Sequence, residues 1–212
     1  METHRISFQS FKDMFLRLGC FSDEQVLLWK DDFSRFNLSR WVKEGRIIRL
    51  RQNLYTFPEI LTRSEHLLFF SGRMYSPSYI SLHYALHYYE IIPEEVVQIT
   101  AISTKKTKEF DTPYGCFSYH NVKPQLMFGF ELRECMAVPG YRVPFALPEK
   151  AVLDLLYLYP EYNTEESIRQ LRFDEDFMSD EFDWARFEGF SDRVSSPALK
   201  QRVDLVREVY HG

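Results

Sequence analysis

Arg40 and Lys43 stand three residues apart, and Arg49 and Arg51 stand two apart, in a chain of net charge −5. A spacing of three puts side chains on one face of a helix, and a spacing of two puts them on one face of a strand. Cationic groups held in this way can grip phosphate, and an arginine can also read a guanine edge. The neighbouring residue types fit the same chemistry. Asn37 suits an adenine edge, an exposed Phe36 suits a thymine methyl, and Ser39 suits either base or backbone. With Leu38 at the centre of the inner face, Phe36, Ser39, Arg40 and Lys43 turn outward and Asn37 lies at the flank. Arg49 and Arg51 alternate with Ile48 and Leu50, so the pattern predicts both arginines on one side of a hairpin whose turn is Gln52-Asn53. The charge is also divided along the chain. Residues 1–57 hold ten Lys/Arg against seven Asp/Glu, whereas 161–192 hold three against eleven. A positive end on an acidic chain is what a local phosphate-binding surface produces. The acidic stretch itself reads as a solvated surface.

Two other constellations are weaker. His83, His87 and Glu90 fall at i, i+4 and i+7, a spacing able to hold a metal, but the rest of their helix is apolar or aromatic. They read as its polar stripe. Asp111, Glu131 and Arg133 faintly suggest two carboxylates and a basic residue of a metal-dependent nuclease. Their spacing is loose, and Arg stands where such sites usually carry Lys. There is no P-loop, no G-x-S-x-G and no H-E-x-x-H. The expectation is a non-enzyme with no cofactor and no metal. Cys20, Cys116 and Cys135 are odd in number and contain no C-x-x-C, which fits a reducing cytosol better than a disulfide framework or a zinc finger. The opening METHRISFQSF lacks the pattern of a secretory signal, and no apolar run reaches the length of a membrane span. A cytoplasmic protein without a membrane partner is expected.

The elements that would position the basic residues follow from periodicity. Phe8, Phe11, Phe15 and Leu18 form one helical stripe that Gly19 can end. Ser22 with Gln25 is a capping-box signature opening a helix through Val26, Leu27 and Trp29. A third helix is predicted from about Phe33 to Glu44, burying Leu38, Trp41 and Val42 and stopped by Gly45. The hairpin follows as Arg46–Arg51 and Leu54–Phe57, with Asn53 able to take a positive φ at the turn. Three helices and a basic hairpin spell a winged helix-turn-helix. Pro58–Thr62 reads as a junction, giving a domain of residues 1–62 and a second of 63–212. In the latter, helices are predicted at Glu65–Phe70 and Pro77–Tyr89. Strands are predicted at Val96–Ser103 and Gly115–Val122 around a turn with Lys105, Lys106 and Lys108, and again within Leu126–Val138 and Tyr141–Phe145. A helix should start at Pro148, with more helices across Thr164–Tyr210. The fold class is therefore α+β: a winged helix followed by a mixed α/β domain. Aromatic residues make up 17% of the chain and suit its core.

The chain resembles the AbiEi family of antitoxins from type IV toxin–antitoxin (abortive infection) systems. In the first domain the resemblance rests on Lys43-Glu-Gly45, Ile48-Arg-Leu-Arg51 and Leu54-Tyr55. In the second it rests on Tyr75-Ser-Pro-Ser-Tyr-Ile-Ser-Leu82, Ala85-Leu86, Tyr89 and Ile92-Pro-Glu94. It continues through Thr100, the Lys-rich turn, Gly115-Cys-Phe-Ser-Tyr119, Gly129 and Ala146-Leu-Pro-Glu-Lys-Ala-Val-Leu-Asp154. Asn53 and Glu90 stand where the family commonly has Gly. The resemblance implies a repressor that binds double-stranded DNA at its own promoter, in inverted repeats, and counteracts a co-encoded nucleotidyltransferase toxin. A stand-alone regulator with a ligand-sensing or dimerising second domain is the alternative, and a DNA-tethered enzyme is a third reading.

Overall fold

The computed structural model describes residues 6–63 and 65–212, so residues 1–5 of the opening METHRISFQSF lie outside the described part. Helix α1 (Phe8–Phe15) begins at Ser7, whose hydroxyl accepts from the Ser10 amide, and buries Phe11 and Phe15. Its last turn tightens into a 3-10 turn, Leu16–Leu18, ended by Gly19 at φ +69. Three residues per turn instead of 3.6 rotate Leu18 off the buried stripe, and it is 40% exposed, contrary to the stripe read from spacing. A two-residue strand β1 (Cys20–Phe21) follows, too short for any periodicity to announce. Helix α2 (Asp23–Trp29) carries the expected Ser22–Gln25 capping box. Helix α3 (Phe36–Lys43) begins later than predicted. Phe33 is buried but lies ahead of the helix, and Val42 is only half-buried. Gly45 at φ +68 lets the chain turn into strands β2 (Ile48–Arg51) and β3 (Leu54–Thr56), which are joined through Asn53 at φ +59. The three strands form an antiparallel sheet in the order β1-β3-β2.

After α4 (Pro58–Leu61) and α5 (His66–Met74) the chain builds a six-stranded mixed sheet. Its strands are β4 (Ser78–Ile80), β5 (Ile99–Ser103), β6 (Lys108–Thr112), β7 (Gly115–Asn121), β8 (Phe130–Glu134) and β9 (Arg142–Ala146), in the order β6-β7-β5-β4-β9-β8. The helix expected over Pro77–Tyr89 is therefore divided. Ser78–Ile80 forms a central strand between β5 and β9, and α6 (Leu82–Tyr88) comes after it. Pairing on both sides with Tyr79 and Ile80 buried outweighs the local helical pattern. The strand expected over Leu126–Val138 narrows to β8, and Lys108, expected in the turn, opens β6.

Cross-strand register decides which face each residue occupies. Tyr119, Ala101 and Ile80 share one face, where the Tyr119 hydroxyl donates to the Ser71 carbonyl of α5 at 2.8 Å. His120, Ile102 and Tyr79 share the other, where the Tyr79 hydroxyl donates to Asp154 at 2.9 Å. Asp154 lies on α7 (Pro148–Leu158), which starts at the predicted Pro148 and buries Leu155 and Leu156. Four further helices complete the chain: α8 (Glu165–Arg169), α9 (Glu175–Asp180), α10 (Trp184–Arg193) and α11 (Pro197–Tyr210). Of these, α10 and α11 pack against α7. The N-terminal elements share one apolar core with the rest. A Cβ on Gly19 would lie 2.5 Å from Val138 and 2.6 Å from Phe69, and Arg63 donates to the Ala137 carbonyl at 2.7 Å.

Candidate nucleic-acid interface

Helix α3 is positioned by its buried face. Leu38 and Trp41 are buried, and Trp41 meets the rings of Phe8, Phe11 and Phe33 at 4.7–5.8 Å. With that face fixed, Ser39, Arg40 and Lys43 are exposed and Asn37 is half-buried at the flank, as their spacing requires. Phe36 is 84% exposed, a large apolar area left in water at the head of the helix. Arg40 lies 3.7 Å from Glu44, a long surface pair that holds the guanidinium only weakly. Lys43 forms no ion pair among the described residues, whereas Arg46 is occupied, pairing with Glu44 at 2.8 Å and lying over the Phe8 ring.

The hairpin departs from the sequence reading at one residue. Arg49 is exposed with its guanidinium 5.7 Å from the ring of Tyr55, its cross-strand partner, and Gln52 and Asn53 are exposed at the tip. Arg51 does not share that outward face. A register shift between Arg49 and Arg51 breaks the two-residue alternation, and Arg51 turns toward α5. There its Nε donates to the Met74 carbonyl at 3.0 Å, while Nη1 donates to the Gln52 carbonyl at 2.9 Å. The outward set is thus Phe36, Ser39, Arg40, Lys43, Arg49, Gln52 and Asn53, with Asn37 at its edge and Arg51 half-buried with its guanidinium bonded to backbone carbonyls.

The weaker constellations do not assemble. Asp111 lies on β6 and Glu131 on β8, the two opposite edges of the six-stranded sheet, which are about 24 Å apart at ~4.8 Å per strand. Arg133 pairs with Glu131 at 2.7 Å, donates to the Tyr89 hydroxyl at 2.7 Å and sits among the rings of Tyr88, Tyr89 and Phe145. His83, His87 and Glu90 form no metal-binding group, nor do any other His, Cys, Asp and Glu among the described residues. His83 instead packs edge-on against Tyr159, with its pKa lowered by burial and by nearby His120.

Sequence reasoning missed a buried polar cluster. Lys150 and Asp154 form an ion pair one helical turn apart, both essentially inaccessible to solvent. Lys150 also donates to the Tyr79 hydroxyl at 2.7 Å, and Ser81 donates to Asp154 at 2.7 Å. Burial holds Lys150 below the usual lysine range against the pull of Asp154, and burial with Asp154 pushes Tyr79 up. The i,i+4 spacing was visible in the sequence, but on a helix that spacing ordinarily marks a solvated pair.

The architecture defines a mixed α+β protein, with 46% helix and 19% strand among the described residues. No helix among the described residues is long and apolar enough to cross a membrane. No known family model matches the chain, and no curated protein matches it.

Proposed function

We propose that this chain is a cytoplasmic DNA-binding autorepressor and antitoxin of the AbiEi type. In this reading the first domain is a winged helix: α3 enters the major groove and the β2–β3 hairpin is the wing. The observation that carries it is that α3 and the hairpin both expose basic and polar side chains over a common buried core. Ser39, Arg40 and Lys43 are solvent-facing over the buried Leu38–Trp41 face, and Arg49, Gln52 and Asn53 are exposed on the hairpin. The element order α1-β1-α2-α3-β2-β3, with β1 closing the sheet beside β3, is the arrangement such a domain needs. Arg40 and Asn37 are the base-reading candidates, and Lys43 and Arg49 the phosphate contacts. The antitoxin half rests on the motif resemblance and on a second domain that carries the acidic surface.

The full-length chain should bind a duplex from upstream of its own gene more tightly than a shuffled duplex of equal length. Arg40→Ala should weaken that preference by about 1–3 kcal/mol, the worth of one bidentate base contact. Equal binding to both duplexes overturns the repressor reading. Co-expression with an adjacent nucleotidyltransferase should restore growth, and failure to do so leaves a stand-alone regulator.

A further inference from the structure

The turn between β5 and β6 carries exposed Lys105 and Lys106, and exposed Lys108 opens β6 directly after it. None of them forms an ion pair among the described residues. Their backbone is nevertheless firmly held. Asn121 Nδ2 donates to the carbonyls of Thr104 (3.1 Å) and Lys105 (2.9 Å), its amide donates to the Thr107 hydroxyl, and the Tyr75 hydroxyl donates to the Lys106 carbonyl at 2.9 Å. Beneath the lysines lies an aromatic base. Tyr75, Phe110 and Tyr119 pack with centroids 5.1–5.8 Å apart, Lys105 Nζ sits over Tyr75 at 5.3 Å, and Lys108 Nζ sits over Phe110 at 5.0 Å. The sheet register sorts the charges. Lys108 and Phe110 share the face of Tyr119, while Glu109 and Asp111 fall on the opposite face with Ser118 and Cys116.

That face adjoins the hairpin. Strand β2 approaches β6 without pairing with it, and Arg51 of β2 is bonded to the Met74 carbonyl, one residue before Tyr75. The hairpin that carries Arg49 and the lysine-bearing start of β6 therefore lie close together in the fold. A pinned backbone with exposed cationic side chains loses little further order on meeting phosphates.

We propose that Lys105, Lys106 and Lys108 extend the DNA-binding surface onto the second domain, gripping phosphates of the duplex that flanks the wing contact. The inference rests on the DNA-binding reading and deepens it. The contact would be electrostatic and indifferent to sequence, setting the register of the protein along the duplex.

The test measures fluorescence anisotropy of full-length protein with a labelled 30-bp duplex from upstream of its own gene, across a salt series. The Lys105→Gln, Lys106→Gln, Lys108→Gln triple variant removes the three charges and keeps polar, unbranched side chains. Three lost phosphate contacts should flatten the plot of log affinity against log salt by about 2.7 units, at 0.9 each. Across a fourfold rise in salt, the wild type should then lose roughly 40-fold more affinity than the variant. The corresponding Lys→Arg triple should keep the wild-type slope. An unchanged slope in the Gln triple, with a reduced slope in Lys43→Ala plus Arg49→Ala, overturns the loop contact and leaves the DNA reading standing. Wild-type protein with no salt-sensitive binding, or equal slopes in every variant, overturns both. A thermal melt of each variant confirms that the fold is retained.

Discussion

Replacing Lys150 by Met removes a buried ammonium while keeping most of its volume. In the native chain that ammonium pairs with Asp154 and donates to Tyr79, under rings of Tyr79 and Phe128 about 5.1 Å from Nζ. In Lys150→Met, Asp154 keeps two hydroxyl donors, Tyr79 at 2.9 Å and Ser81 at 2.7 Å, but loses its only counter-charge within the cluster. Breaking a buried pair from one side costs about 3–5 kcal/mol, because the remaining charge has neither water nor counter-charge. For a chain of this size that is a melting-temperature loss on the order of 10 °C. Adding Asp154→Leu removes the stranded charge and should recover much of the loss. The recovery stays incomplete because the Ser81 hydroxyl then lacks its acceptor, at about 1–3 kcal/mol, and Tyr79 retains only the Leu126 carbonyl at 3.4 Å. Urea unfolding followed by far-ultraviolet circular dichroism gives the two stabilities. A single variant within 1 kcal/mol of wild type, or a double variant less stable than the single, would refute the reasoning that charge pairing governs this cluster.

Two further outcomes test the placement of particular side chains. Arg51→Ala should lower stability by about 1–2 kcal/mol, by deleting a charge-assisted bond to the Met74 carbonyl, without changing the salt dependence of DNA binding. Unaltered urea stability with a slope one unit shallower would return Arg51 to the proposed DNA face. Burial holds His83 and His120 below the ordinary 6.5, so in the window under that value the unfolded chain takes up protons first. Stability present above pH 6.5 is then lost as pH falls, and His83→Gln plus His120→Gln should flatten melting temperature against pH between about 5 and 7. Parallel curves for variant and wild type would place these imidazoles in a solvated setting.

The local rules written in the sequence held wherever a few neighbouring residues decide the outcome. The Ser22–Gln25 box, Gly45 and Asn53 at positive φ, Pro148 at a helix start and the outward set on α3 all depend on contacts within about four residues. Such contacts are encoded by spacing alone. The departures share a different cause. Strand β4 exists because β5 and β9 flank it, β1 because β3 offers it an edge, and Arg51 turns inward because a register shift brings it to the Met74 carbonyl. The pairing of Lys150 with Tyr79 and of Asp154 with Ser81 likewise joins residues about seventy positions apart. The same holds for the nearness of β2 to β6, which belong to different sheets. Periodicity reports which face of an element is apolar, but the partner that covers the face is chosen by packing across the whole chain. A surface assembled from separate elements is therefore decided only by the tertiary structure.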